Sequence, residues 1–146
     1  RCLMTREILF KAKRLDNGEW VKGNIVAVPE DADFMPGAYI LPRLVSARAD
    51  PPTKGIMLGG FFEVDPATVC EYTGLTDKNG KKVFVGDIVK CSRGCTHEVV
   101  WVQEHGGTFI GGMPAIYLSD LMPGYAWTGE EEIIGNINDG EGGQHE

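Results

Sequence analysis

Residues 74–90, GLTDKNGKKVFVGDIVK, constrain the fold of this chain more than any other stretch. Asn79-Gly80 is a strong tight-turn dipeptide, because both residue types accept the positive φ that a primed hairpin turn requires. Val83-Phe84-Val85 follows as a short apolar run, Gly86-Asp87 interrupts it, and Ile88-Val89 resumes it. This reads as a strand, a kink and a re-entering strand, with Gly86 letting the chain bend from one sheet layer into another. Asp87 reads as the acceptor of a backbone hydrogen bond that holds the kink rather than as a catalytic base.

The same grammar runs through the rest of the chain. Residues 7–14 alternate, with Ile8, Phe10 and Ala12 on one face and Lys11 and Lys13 on the other. Asp16-Asn17-Gly18 turns this strand, and residues 20–28 return as its hairpin partner. Residues 32–60 lose period and read as one short strand, Tyr39-Ile40-Leu41, inside a long excursion that is a candidate binding loop. A strand resumes at Phe61-Phe62-Glu63-Val64, and Asp65-Pro66 is an N-cap followed by proline at the first helical position. Residues 98–102, EVVWV, read as a buried strand turned at His105-Gly106-Gly107 and returning at Thr108-Phe109-Ile110. A short helical turn is expected at residues 118–121 and a last strand at 132–137.

The fold expected is mainly β. Residues 65–139 read as a small SH3-like β-barrel, since short strands joined by tight turns protect their edges by closing on themselves. Residues 4–64 form an N-terminal β-hairpin unit with the excursion at 32–60, and helix is confined to a few short turns. Residues 140–146, Gly-rich and acidic, are expected to be a disordered tail. Residues 17–26 faintly echo 79–89, each a turn, an apolar strand, a glycine before an amide or carboxylate, and an Ile-Val exit. Two short copies do not establish duplication, so shared hairpin grammar is the preferred reading.

Composition excludes several classes. Hydrophobic content of 42% and charged content of 24% over 146 residues are globular values, compatible with one domain or two small β units. No apolar run reaches the roughly 18–20 residues of a membrane span, and no signal-peptide pattern opens the chain. Met4 is expected to be the native start, with Arg1-Cys2-Leu3 carried over from upstream. A net charge of −7 disfavours unspecific duplex binding. The basic sets Lys11, Lys13, Arg14, Lys22 and Lys78, Lys81, Lys82, Lys90, Arg93 then read as local decoration.

The cysteines, Cys2, Cys70, Cys91 and Cys95, read as free thiols in the absence of a secretion signal. Cys91, Cys95 and His97 have ligand chemistry. Their spacing fits a β-turn between two strands, however, and a fourth donor is not evident, so structural thiols are favoured and no metal or cofactor is expected. Glu130-Glu131-Glu132 reads as a solvated edge. Ser92, His97 and His105 leave a triad open to geometry alone, but no nucleophile elbow, phosphate loop or metalloprotease motif is present, and an enzyme is not the preferred reading.

The order REILFKAKR, EWVKG, FFEVDPATVCEYTGLTDKNGKKVFVGDIVK, VVWVQEHGGTFIGG and EEIIGNIND resembles the YopX family of small phage and prophage proteins. The likeness spans nearly all of residues 4–139, with 32–60 as a variable insert. It implies a phage- or prophage-encoded protein of the bacterial cytoplasm, mostly β and homo-oligomeric, with no established activity and no catalytic residues to carry over.

Three functional classes follow. The leading one is a non-catalytic interaction module that binds a host or phage protein. The second is a counter-defence sponge that sequesters a nucleotide signal, for which Tyr39 with Arg43 and Tyr125 with Trp127 are candidate ligand-binding residues, supplying aromatic faces and a guanidinium. Packing at a loop or subunit interface is the preferred alternative for all four. The third, a nucleic-acid-binding accessory protein, is disfavoured by the acidity. Phe61, Phe62 and Trp127 exceed what one small barrel buries and point to self-association.

Overall fold

The computed structural model describes residues 7–33, 35–102, 115–118 and 125–140, with backbone alone at 102, 115–118 and 125–126. The chain is mainly β, and it divides into two compact units, one of residues 7–71 and one beginning at Tyr72.

In the first unit, alternation in FKAK gives β1 (Phe10–Lys13) two faces. Ala12 is fully buried, while Lys11 and Lys13 lie over the ring of Trp20, at 4.9 and 5.5 Å, on β2 (Trp20–Val28). The strand starts at Phe10 and not at residue 7, so Ile8 is exposed and contributes nothing to the core. The antiparallel order is β6-β3-β2-β1, with β3 at Gly37–Leu41 and β6 at Phe62–Val64. Ala12, Ala38, Ile40 and Val64 form the core, covered by Phe10, Val21, Ile25 and Val69. Full burial of Ile40 and Val64 contributes about 1.5–3 kcal/mol each. Asp65 caps a single 3-10 turn, Pro66–Thr68, by accepting the Ala67 N–H at 3.0 Å, as its sequence position predicts.

The excursion is more regular than its sequence pattern predicts. β3 lies between β2 and β6, and β4 (Ser46–Asp50) pairs with β5 (Gly55–Gly59) in a separate two-stranded ribbon. SARAD carries no apolar alternation because β4 is almost entirely solvated. Pro51-Pro52 forms the hairpin turn, where the Thr53 N–H donates to Asp50 O at 3.2 Å.

From Tyr72 on, β7 (Cys70–Thr76) belongs to the second unit and pairs with β8 (Lys82–Phe84), and a further sheet has the order β12-β11-β10-β9-β13. Its strands are β9 (Asp87–Lys90), β10 (Thr96–Val102), β11 (Ala115–Leu118), β12 (Tyr125–Ala126) and β13 (Glu132–Asn136). β12 and β13 stand at opposite edges, so the described strands form no closed barrel, contrary to the SH3-like expectation. Val83, Val89 and Val99 are the core, with Leu75, Trp127 and Ile133 packed against it.

The turn at 77–81 differs in type from the primed form. The Gly80 N–H donates to Asp77 O at 2.9 Å and the Asp77 N–H to Lys81 O at 2.8 Å, and of Asn79 and Gly80 only Gly80, with φ 81°, is left-handed. This is the three-residue hairpin loop closed by a glycine. Gly86, with φ 97°, redirects the chain between β8 and β9, which belong to different sheets, as the kink requires. Its counterpart in the sequence echo, Gly23, makes no kink. There β2 runs straight through, and glycine is needed because a Cβ would sit 2.1 Å from the Leu41 carbonyl oxygen.

The EVVWV strand is buried at Val99 but Trp101 is 46% exposed, because only one end of β10 packs on the core. β10 pairs with β9 on one side and β11 on the other, and the turn and return strand expected at 105–110 lie outside the described residues. Leu118, placed by sequence in a helical turn, ends a strand; residues 119–121 and the tail at 141–146 also lie outside the described residues.

Candidate functional site

Two places among the described residues are candidate sites. The first is an apolar groove of about 300 Å³ in the first unit, lined by Val26, Val28, Met35, Tyr39, Leu58 and Phe61. β2 and β3 supply Val26, Val28 and Tyr39 from paired positions, with Val26 opposite Tyr39. Among the described residues of the lining Tyr39 is the only ionisable side chain, and its hydroxyl donates to Met35 O at 2.8 Å, where Met35 holds a φ of 49°. The ribbon beside it exposes Ile56, Met57 and Leu58, and the segment leading into β4 exposes Leu44 and Val45.

The sequence-predicted ligand residues are distributed over both units. Tyr39 lines the groove, and Arg43 is exposed on the approach to β4 without lining it. Trp127 is half-buried on the Val83, Val89 and Val99 core, while the Tyr125 side chain lies outside what is described. The ribbon, which sequence reasoning missed, had one available signal, the apolar run Ile56-Met57-Leu58 four residues after Pro52. The basic sets are engaged locally: Arg14 over Phe62 at 4.0 Å, Lys82 over Tyr72 at 5.7 Å, and Lys78 with Glu132 at 3.9 Å.

The second place is the β9–β10 hairpin. The Cys91 N–H donates to Cys95 O at 2.8 Å and the Gly94 N–H to Cys91 O at 2.9 Å, the β-turn that the spacing predicts. The turn brings the sulfur of Cys91, the sulfur of Cys95 and an imidazole nitrogen of His97 within 4.8 Å of one another. Cys91 and His97 are buried and Cys95 is exposed. The His97 imidazole, hydrogen-bonded to the Cys91 thiol, draws its pKa down to about 7; burial opposes this, and the N–H groups of Arg93 and Cys95 assist.

The carboxylates of this unit serve the backbone. Asp77 Oδ1 accepts from Asn79 N at 2.8 Å and Lys81 N at 2.9 Å, while Oδ2 accepts from Ile133 N at 3.1 Å. Asp87, fully buried, accepts from Phe84 N at 2.8 Å and from Asn136 Nδ2 at 2.9 Å, the kink-holding role its setting predicts. Glu131 is also fully buried, against the reading of 130–132 as a solvated edge. It gathers Thr128 Oγ1 at 2.7 Å and Gly129 N at 2.9 Å, so it closes the turn before β13.

These features define a class: a two-unit, mainly β protein whose second unit is built on buried carboxylates that satisfy turn N–H groups. The YopX protein family model matches residues 41–140, and the chain belongs to that family. A solved structure, protein EF1440 from Enterococcus faecalis, is similar in fold, with a TM-score of 0.53 and 21% identity over 90% of this chain and 94% of that one. No curated protein matches the chain. Among the described residues no helix is long and apolar enough to cross a membrane.

Proposed function

We propose that this YopX-family chain is a non-catalytic binding protein that takes a protein partner on its apolar groove and the adjoining β4–β5 ribbon. The observation that carries the reading is the ribbon itself, with Ile56 at 72% exposure, Val45 just before β4 at 69% and, among the described residues, neither strand paired on its outer edge. An apolar ribbon with open edges is what an added strand or a second apolar face recognises. The engagement of Asp77, Asp87 and Glu131 with turn groups supports binding over acid–base chemistry. The family likeness favours a phage or prophage protein of the host cytoplasm, with self-association through the same surface as one form of partnership.

Affinity capture of the full chain from host cells, with free nucleotides followed by mass spectrometry, tests this reading. A stoichiometric protein partner captured by the wild type and lost with Leu58→Asp supports it. Stoichiometric depletion of a nucleotide would favour the sponge, and steady conversion of any metabolite at substoichiometric protein would make the chain an enzyme.

A further inference from the structure

We propose that Cys91, Cys95 and His97 form a zinc(II) site on the β9–β10 hairpin, with three protein ligands and a fourth position open at the surface. The donor set is two sulfurs and one imidazole, the combination a borderline-soft d10 cation selects over oxygen-rich sites. Zinc bonds of about 2.3 Å to sulfur and about 2.0–2.1 Å to nitrogen place tetrahedral donors about 3.5–3.8 Å apart. The three donors already lie within 4.8 Å, so side-chain rotation of a few tenths of an ångström to one ångström or so closes the site.

The backbone is prepared for this. The two turn hydrogen bonds, together with Gly94 at φ 88°, fix Cys91 and Cys95 as the closing pair of the loop. His97 follows two residues after Cys95, held on β10 by its pairing with Val89, which keeps its imidazole within 4.8 Å of both sulfurs. All three ligands come from seven consecutive residues, so chelation orders almost no additional chain. The burial of Cys91 and His97 shields one side of the ion, and the exposure of Cys95 sets the remaining side toward solvent, where water or a donor from a bound partner completes the tetrahedron. The spacing and the missing fourth donor favour structural thiols from sequence alone, but the β-turn itself is what brings the donors together. Three donors suffice for zinc when the fourth position is exchangeable. Cys70 is not needed; its thiol donates to Thr68 O at 3.3 Å.

The test is a titration of the full chain, purified reduced and stripped with chelator, with zinc(II) against a chromophoric chelator and with cobalt(II) as a spectroscopic probe. The expected result is one ion per chain. Cobalt should give the intense visible bands of tetrahedral coordination and thiolate charge-transfer bands. Cys95→Ser changes an exposed residue and should keep the wild-type melt while weakening zinc by more than about tenfold, since loss of even an outer-shell partner costs 10–100-fold. His97→Gln should weaken binding comparably and leave a cobalt spectrum with two thiolates, and Cys70→Ser should bind like the wild type. Zinc should also protect Cys95 from alkylation. Octahedral cobalt, binding unaffected by Cys95→Ser, or a Cys91–Cys95 disulfide in protein isolated with thiols trapped would overturn the proposal.

Discussion

The carboxylate of Asp77 reaches across 56 residues of sequence to accept the Ile133 N–H at 3.1 Å, while its other oxygen holds the turn at 77–81. One side chain thereby fixes both a local hairpin and the entry of the last strand. Asp77→Ala should destabilise the protein by about 2–3 kcal/mol, because it strands turn and strand N–H groups that a charged acceptor satisfied. Urea melts of the variant measure this.

The same residue sets an acid limit. Burial acts to raise the Asp77 pKa, but the N–H groups of Ile133, Lys81 and Asn79 and the Lys81 charge outweigh it, holding the carboxyl below 3.8. A carboxyl depressed in the folded state stabilises it above the unfolded pKa, and that contribution is lost as pH falls through the folded value. Thermal melts taken downward from about pH 5 should therefore decline, most steeply below about pH 4, and Asp77→Asn should flatten part of the decline.

Asp87 and Asn136 are 49 residues apart and joined at 2.9 Å in the buried interior of the second unit. Asp87→Ala should cost about 2–3 kcal/mol or more, since the Phe84 N–H and the Asn136 amide both lose their buried acceptor. Asn136→Ala should cost less, and the double variant less than the sum. A double-mutant cycle reads that coupling directly.

Two glycines should separate strain from collision. Gly80 is left-handed with open space where a side chain would sit, so Gly80→Ala should cost about 1 kcal/mol from φ alone. Gly23→Ala meets the Leu41 carbonyl oxygen at 2.1 Å and the Pro42 Cα at 2.9 Å, both backbone, so β2 and β3 must part. Its melting temperature should fall further than that of Gly80→Ala.

Ile56→Asp and Leu58→Asp alter exposed ribbon residues and should leave stability within about 0.5 kcal/mol of the wild type. If copies of the chain associate through the ribbon, light scattering at tens of micromolar should show a mass that falls to the monomer in both variants. An unchanged larger mass would place self-association elsewhere.

Local signals explain what was legible in the sequence. Asn79-Gly80, Asp65-Pro66, Cys91 to Cys95 and Gly86-Asp87 each act within a few residues, and the structure has a turn, a cap or a kink at each. The β4–β5 ribbon was not legible, because neither strand is patterned by a core; period-2 alternation exists only where one face is buried. Glu131 was misread for the opposite reason. Its partners at Thr128 and Gly129 are close in sequence, but its burial depends on a sheet assembled from distant strands. The metal-ligand trio was visible as residue types, whereas the convergence of its donors required the turn geometry.

The position of β13 also orders events on the ribosome. The first unit has its whole core, from Phe10 to Val69, once residue 71 has emerged, so it can fold while synthesis continues. The second unit cannot: Asp77 waits for Ile133 and Asp87 for Asn136, and β9 lacks one neighbour until that strand arrives. A nascent chain halted before residue 132 would thus carry a finished half beside one that proteases still recognise as unfolded.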